Sequence, residues 1–177
     1  MVGGIVKFRG VINAILLFAG FVLLSVLPCL SQQRGPSTPE ERARAVKAVR
    51  SLEVNPLSKE VLAERVWALR WLIGVPDISV KVCGKLPDLT ALKKYKYDSD
   101  LFALVTLSQA AFIIENPDKA KDLAVTSLAG MESMLKAYET ILKDNPKTKS
   151  KYLDDLLEKR NRGELAAYVK ELATGCR

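Results

Sequence analysis

Apolar and polar positions alternate along the chain in runs that predict helices almost throughout. Thr38-Pro39-Glu40-Glu41 is a helix start, with Thr38 as cap, Pro39 in the first turn and Glu41 closing a capping box. The helix it opens runs to about Glu53, before Asn55-Pro56, with Ala43, Val46, Ala48, Val49 and Leu52 inward. Ser58 caps a second helix from Lys59 to Ile73, closed by Gly74. There Leu62, Val66, Leu69 and Ile73 recur at helical spacing, predicting a buried stripe with Trp67 and Trp71 beside it. Residues 74–98 are irregular: Ile78, Val80 and Val82 alternate like a short extended segment, and Pro87-Asp88 can open one or two helical turns.

From Leu101 to Ile114 no residue is charged, with Asp98 or Ser99 as cap. A helix apolar on nearly every side is a buried one, and this run is too short to span a bilayer. A longer helix follows, from Asp118 to about Asp144. Its seam is Ala124, Leu128, Met131, Leu135, Tyr138 and Leu142, widened by Met134 and Ile141. Lys147 to Asn161 carries Leu153, Leu156 and Leu157 inward; after Gly163, Glu164 to Ala173 carries Leu165, Tyr168, Val169 and Leu172. The expectation is an all-α domain over 39–177. It is a compact bundle of about six helices in helix-turn-helix stacking, with one irregular 25-residue connection. The prolines at 117 and 146 are 29 residues apart, short of the 34 of a tetratricopeptide repeat.

The first 31 residues follow a different pattern. Lys7 and Arg9 precede an uncharged apolar run from Val11 to Leu30, whose end overlaps Pro28-Cys29-Leu30-Ser31. That is the layout of a secretory signal cut after Ser31, with residues 32–38 as a linker. Retained, the same run is long enough to anchor the chain in a membrane with the domain outside. Both readings export the domain, to a periplasmic or extracellular location.

Export changes the charge and cysteine arithmetic. The whole chain is +7; without Lys7 and Arg9 it is near +5, too mild to indicate nucleic acid and supporting at most a weak attraction to anionic envelope polymers or lipid surfaces. Cleavage leaves Cys83 and Cys176, an even pair in an oxidising setting, where a bridge is expected.

Candidate chemistry is thin. With no histidine in 177 residues, the Ser-His-Asp and Cys-His mechanisms and His-ligated metals are excluded. Neither a metal site nor a glycine-rich cofactor loop is indicated, and no cofactor is expected. Ser133-Met134-Leu135-Lys136 matches a Ser-x-x-Lys pair, but Lys147-Thr148-Lys149 lacks the glycine such enzymes carry. Asp154, Asp155 and Glu158 form a carboxylate cluster set among basic residues, expected as a salt-bridged exposed face. The segment Lys93-Lys94-Tyr95-Lys96-Tyr97 interleaves cations with aromatics, as surfaces for acidic polymers do. The expected function is therefore a non-catalytic exported domain binding a protein or an anionic envelope component. Trp67, Trp71, Lys93, Lys94, Tyr95, Lys96 and Tyr97 are its candidate contacts. The alternatives are a small exported hydrolase using a Ser-Lys or carboxylate pair, and a membrane-tethered structural protein, membrane contact requiring that the N-terminal run be kept.

Overall fold

A computed structural model describes residues 34–176 of the chain. The signal or anchor expected over residues 1–31 lies outside the described residues. Seven α-helices follow in order: α1 (Pro39–Val54), α2 (Lys59–Gly74), α3 (Leu89–Leu92), α4 (Asp98–Glu115), α5 (Leu123–Asp144), α6 (Lys151–Asn161) and α7 (Leu165–Thr174). No strand occurs among the described residues, and the extended segment expected at 78–82 pairs with nothing. Only two isolated bridges, Cys83 with Leu86 and Lys85 with Asp88, form in that connection.

The helix ends show why these segments form helices. At α1 the capping box is complete: the Glu41 amide donates to Thr38 Oγ1 at 3.2 Å, and the Thr38 amide to Glu41 Oε2 at 3.1 Å. Ser58 accepts from the Val61 amide at the start of α2. Asp122 accepts from the amides of Ala124 and Val125, so α5 begins at Leu123 rather than at Asp118. A 3₁₀ turn, Pro117–Lys119, occupies the residues between α4 and that cap. Helix α4 starts at Asp98 itself, with Tyr97 at the cap position and no side-chain cap. Helix α6 starts at Lys151, four residues later than the expected start at Lys147. Gly163, at φ 74°, takes the left-handed conformation that turns the chain between α6 and α7.

Helix α4 is the centre. No residue from Leu101 to Ile114 is exposed, as its uncharged sequence requires. It packs chiefly on α5 and also on α1 and α2, while α5 in turn supports α1, α6 and α7. Met131, Leu135 and Tyr138 of the expected α5 seam are fully buried. Ala124, Leu128 and Leu142 lie at its edge, and Thr126, Ser127, Gly130 and Ser133 extend the buried face instead. Small residues there let α5 approach α4 closely.

Two expectations about faces are corrected. Ala43 of α1 is exposed, and Ala45 takes its place inside. On α2 the stripe Leu62, Val66 and Ile73 faces outward, with exposures of 44%, 39% and 85%. The helix buries Val61, Ala68 and Trp71 instead. Apolar residues lie on both sides of α2, and the side chosen by α1 and α4 is the one carrying Trp71.

The chain enters the domain through a polar clamp. Asp77, in the turn after α2, accepts from the Ser37 amide at 2.8 Å, the Ser37 hydroxyl at 2.7 Å and Arg42 Nη2 at 2.7 Å. Hydrogen bonding from Ser37, then the Arg42 guanidinium, holds the Asp77 carboxyl down at about 2, below its ordinary 3.8. A carboxylate depressed on folding stabilises above its unfolded value and loses that contribution as pH falls through the folded one. The melting temperatures of wild type and Asp77→Asn are therefore expected to differ at neutral pH and to converge between pH 4 and 2. A gap unchanged across that window would show that the clamp contributes nothing ionic.

Candidate functional site

Three features bear on function: a tryptophan groove on α2, a lysine groove between α3 and α6, and a buried serine–carboxylate network. The tryptophan groove is built by two side chains four residues apart. Trp67 and Trp71 stack with centroids 6.0 Å apart and 18° between planes. Trp71 is buried at 3% exposure, its indole N–H without an acceptor, and it serves the core. Trp67 is half-buried, with the Arg44 guanidinium 3.8 Å above its ring centroid. Glu64 fixes that guanidinium in a two-pronged pair at 2.9 and 3.0 Å. Arg34, Glu41, Ala63, Val66 and Arg70 complete a groove of ≈ 520 Å³. Of the two tryptophans, then, only Trp67 offers surface to a ligand.

The Lys-Tyr segment divides in the same way. Tyr95 is buried at 5% exposure, packed edge-on against Tyr97 at 5.8 Å and Tyr138 at 5.5 Å, and burial raises its phenol pKa. It is a core residue. Tyr97 is half-buried, with Lys96 Nζ 5.0 Å from its ring centroid. Lys93, Lys94 and Lys96 are exposed. The interleaving seen in the sequence separates into an aromatic side that anchors and a basic side that faces water.

That basic side does not stand alone. Lys94 shares a groove of ≈ 430 Å³ with Ala91, Lys149, Ser150, Lys151, Tyr152 and Asp155. Two tyrosine hydroxyls hold its walls. Tyr138 donates to Asp154 Oδ1 at 2.7 Å and accepts from the Ser150 amide at 2.8 Å, while Tyr152 accepts from the Asp88 amide at 2.9 Å. Desolvation drives both phenols well above the ordinary range, so they remain neutral. None of Lys94, Lys149 and Lys151 takes part in an ion pair among the described residues, and Asp155 is the one carboxylate among the residues that line the groove. Of the expected carboxylate cluster, Asp154 is spent on Tyr138 and Glu158 pairs with Arg162 at 3.1 Å.

The third feature was not visible in the sequence. Glu53, only 8% exposed, accepts from Ser133 Oγ at 2.7 Å, and Ser108 Oγ lies 2.6 Å from Ser133 Oγ. Arg50 and Lys136 approach the same carboxylate at 3.1 and 3.5 Å, and Arg50 also reaches Glu115 at 2.9 Å. Lys136 thus meets Glu53 rather than Ser133, and Ser133 of α5, only 2% exposed, is enclosed against α1 and α4. A buried carboxylate persists only where charges and hydroxyls replace its water, and this network does that. Both ends of the Ser-x-x-Lys motif thus contact Glu53 rather than each other.

Cys83 and Cys176 sit at disulfide distance, with Cα atoms 5.7 Å apart, the pairing expected of these two cysteines. Among the described residues no group of three or more His, Cys, Asp or Glu could hold a metal, and no helix is long and apolar enough to cross a membrane. The chain matches no protein-family model, curated protein or solved structure.

Proposed function

We propose that this is an exported, non-catalytic helical domain that binds an anionic envelope component through the lysine groove. The observation that carries the reading is the convergence of two lysine runs from distant parts of the chain. Lys94 comes from one side, and Lys149 and Lys151 from the other, with one carboxylate between them. Holding several unpaired cations together on a surface is unfavourable on its own, and an anion relieves that repulsion. The positive end of α6 opens at the same place, which adds to the potential felt there. Lys93 and Lys96 lie on the same short turn and enlarge the basic field. Support for export comes from the apolar N-terminal run and from a cysteine pair that persists as a bridge only under oxidising conditions.

The full chain is expected to bind a polyuronate oligomer in low salt and to release it as ionic strength rises. Replacing Lys94, Lys149 and Lys151 together by alanine is expected to weaken binding about tenfold, the sum of three modest surface interactions. Calorimetric titration of both proteins checks this. Equal affinity of wild type and triple variant would overturn the assignment of the groove.

A further inference from the structure

Five of the six large apolar side chains exposed among the described residues fall between 54 and 73: Val54, Leu57, Leu62, Val66 and Ile73. Three lie on the outer face of α2. At 100° per residue, Lys59 and Arg70 fall within roughly 80° of Leu62, while Glu60 and Glu64 lie roughly 160–200° away. The outer face of α2 is thus an apolar stripe edged by cations, with the acids of α2 itself turned aside and Glu41 of α1, which shares the groove of Val66 and Arg70, paired with Arg34. That composition suits an anionic bilayer surface, where aliphatic groups enter the headgroup boundary and cations meet phosphate. It suits a protein groove less well, since such a groove supplies no uniform negative rim.

Chain connectivity points the same way. The apolar run ends at Leu30, and four Cα steps separate it from Arg34, a reach of about 14 Å. The Arg34 side chain lies against Gly74, the last residue of α2 and the neighbour of Ile73. The chain that joins the apolar run to the described domain is therefore short. We propose that the Leu62–Val66–Ile73 face of α2 docks on an anionic lipid bilayer, with Lys59 and Arg70 against the headgroups. The proposal rests on the reading in which residues 11–30 are retained as a membrane anchor.

The test uses the full chain in phosphatidylcholine vesicles with and without phosphatidylglycerol. A Trp71→Phe background leaves Trp67, beside Val66 and Arg70, as the single tryptophan, excited selectively over the tyrosines. With a nitroxide-headgroup lipid present, Trp67 emission is expected to fall about twofold on the anionic vesicles. Leu62→Gln, Val66→Gln and Ile73→Gln together, all at exposed positions and checked by circular dichroism, are expected to abolish that quenching. Lys59→Glu or Arg70→Glu should each reduce the docked fraction at least about fivefold. A chain that floats with the vesicles and resists carbonate extraction, but whose Trp67 is unquenched, overturns the docking alone. So does quenching that the triple glutamine variant leaves unchanged. If α2 crosslinks to α2 of a second copy without quenching, the face is a self-association surface and the proposal fails. A chain that does not float overturns both the docking and the anchor reading.

Discussion

Reduction of the Cys83–Cys176 pair, or Cys83→Ser, is expected to lower the free energy of unfolding by about 4 kcal/mol. The two cysteines are 93 residues apart, so a bridge between them removes a large share of the unfolded chain's freedom. The bridged segment includes α4 and α5, which form most of the core. Loss of the bridge should not simply fray the C-terminus. Leu165 and Val169 of α7 are buried at 2% and 0% exposure, so α7 keeps its own packing when the sulfurs part. The effect therefore falls mainly on the denatured state. Denaturant titrations with and without reductant should show a lower midpoint and a steeper slope in the reduced protein, because its unfolded chain expands further. Adding Cys176→Ser to Cys83→Ser should change nothing more. Coincident oxidised and reduced titrations would show that the pair does not cross-link the protein. For domains of ordinary stability, about 4 kcal/mol is a large fraction of the total, which would confine the stable fold to oxidising surroundings.

Architecture was legible in the sequence where the decisive interactions are local. The Thr38–Glu41 capping box, the Ser58 cap and the breaks at Asn55-Pro56 and Asn145-Pro146 depend on residues a few positions apart. The structure places helix ends beside each of them. The uncharged run at 101–114 could only be buried, because no face of it tolerates water. The Asp118 start failed for a local reason as well: Pro117 favours a tight turn, and Asp122 was the better cap, able to meet two amides. Residues chosen by distant partners were not legible. Helix α2 has apolar side chains on two faces, and periodicity selected the stripe that docking on α1 and α4 leaves outside. Glu53 reads as the solvated end of α1 until Ser133 and Lys136, 80 and 83 residues away, arrive beside it.

The candidate site was half visible for the same reason. Lys93, Lys94 and Lys96 were singled out by their spacing with tyrosines, yet the partners that make Lys94 part of a groove, Lys149 and Lys151, come from another segment. A lysine run at a helix junction resembles any solvated surface until the fold sets it opposite a second one. Tyr95 carried the opposite ambiguity: an aromatic between lysines can stack on a ligand or anchor the turn. Its place between Tyr97 and Tyr138 makes it an anchor.

Gly130→Val is expected to destabilise the domain by about 3 kcal/mol, at the upper end for overpacking a filled core. Gly130 lies inside α5, where glycine costs about 1 kcal/mol relative to alanine, so something must offset it. A Cβ there would sit 2.9 Å from the Val105 carbonyl oxygen, 3.0 Å from Val105 Cγ1 and 3.2 Å from Gln109 Cγ. The nearest atom is backbone of α4 and cannot swing aside; one helix must move. Moving α5 also strains the contacts one turn on, where Ser133 bridges Ser108 and Glu53 at 2.6 and 2.7 Å. Those bonds are short and buried, and a shift that lengthens them leaves the Glu53 carboxylate poorly solvated. Gly130→Ala sets the propensity gain against one clashing methyl and should fall between wild type and Gly130→Val. Gly35→Ala, with nothing within 4 Å of the added carbon, should lie within about 0.5 kcal/mol of wild type. Urea titrations of the three variants test this order. A Gly130→Val protein as stable as wild type would mean that α4 and α5 are not held at the separation their small residues allow.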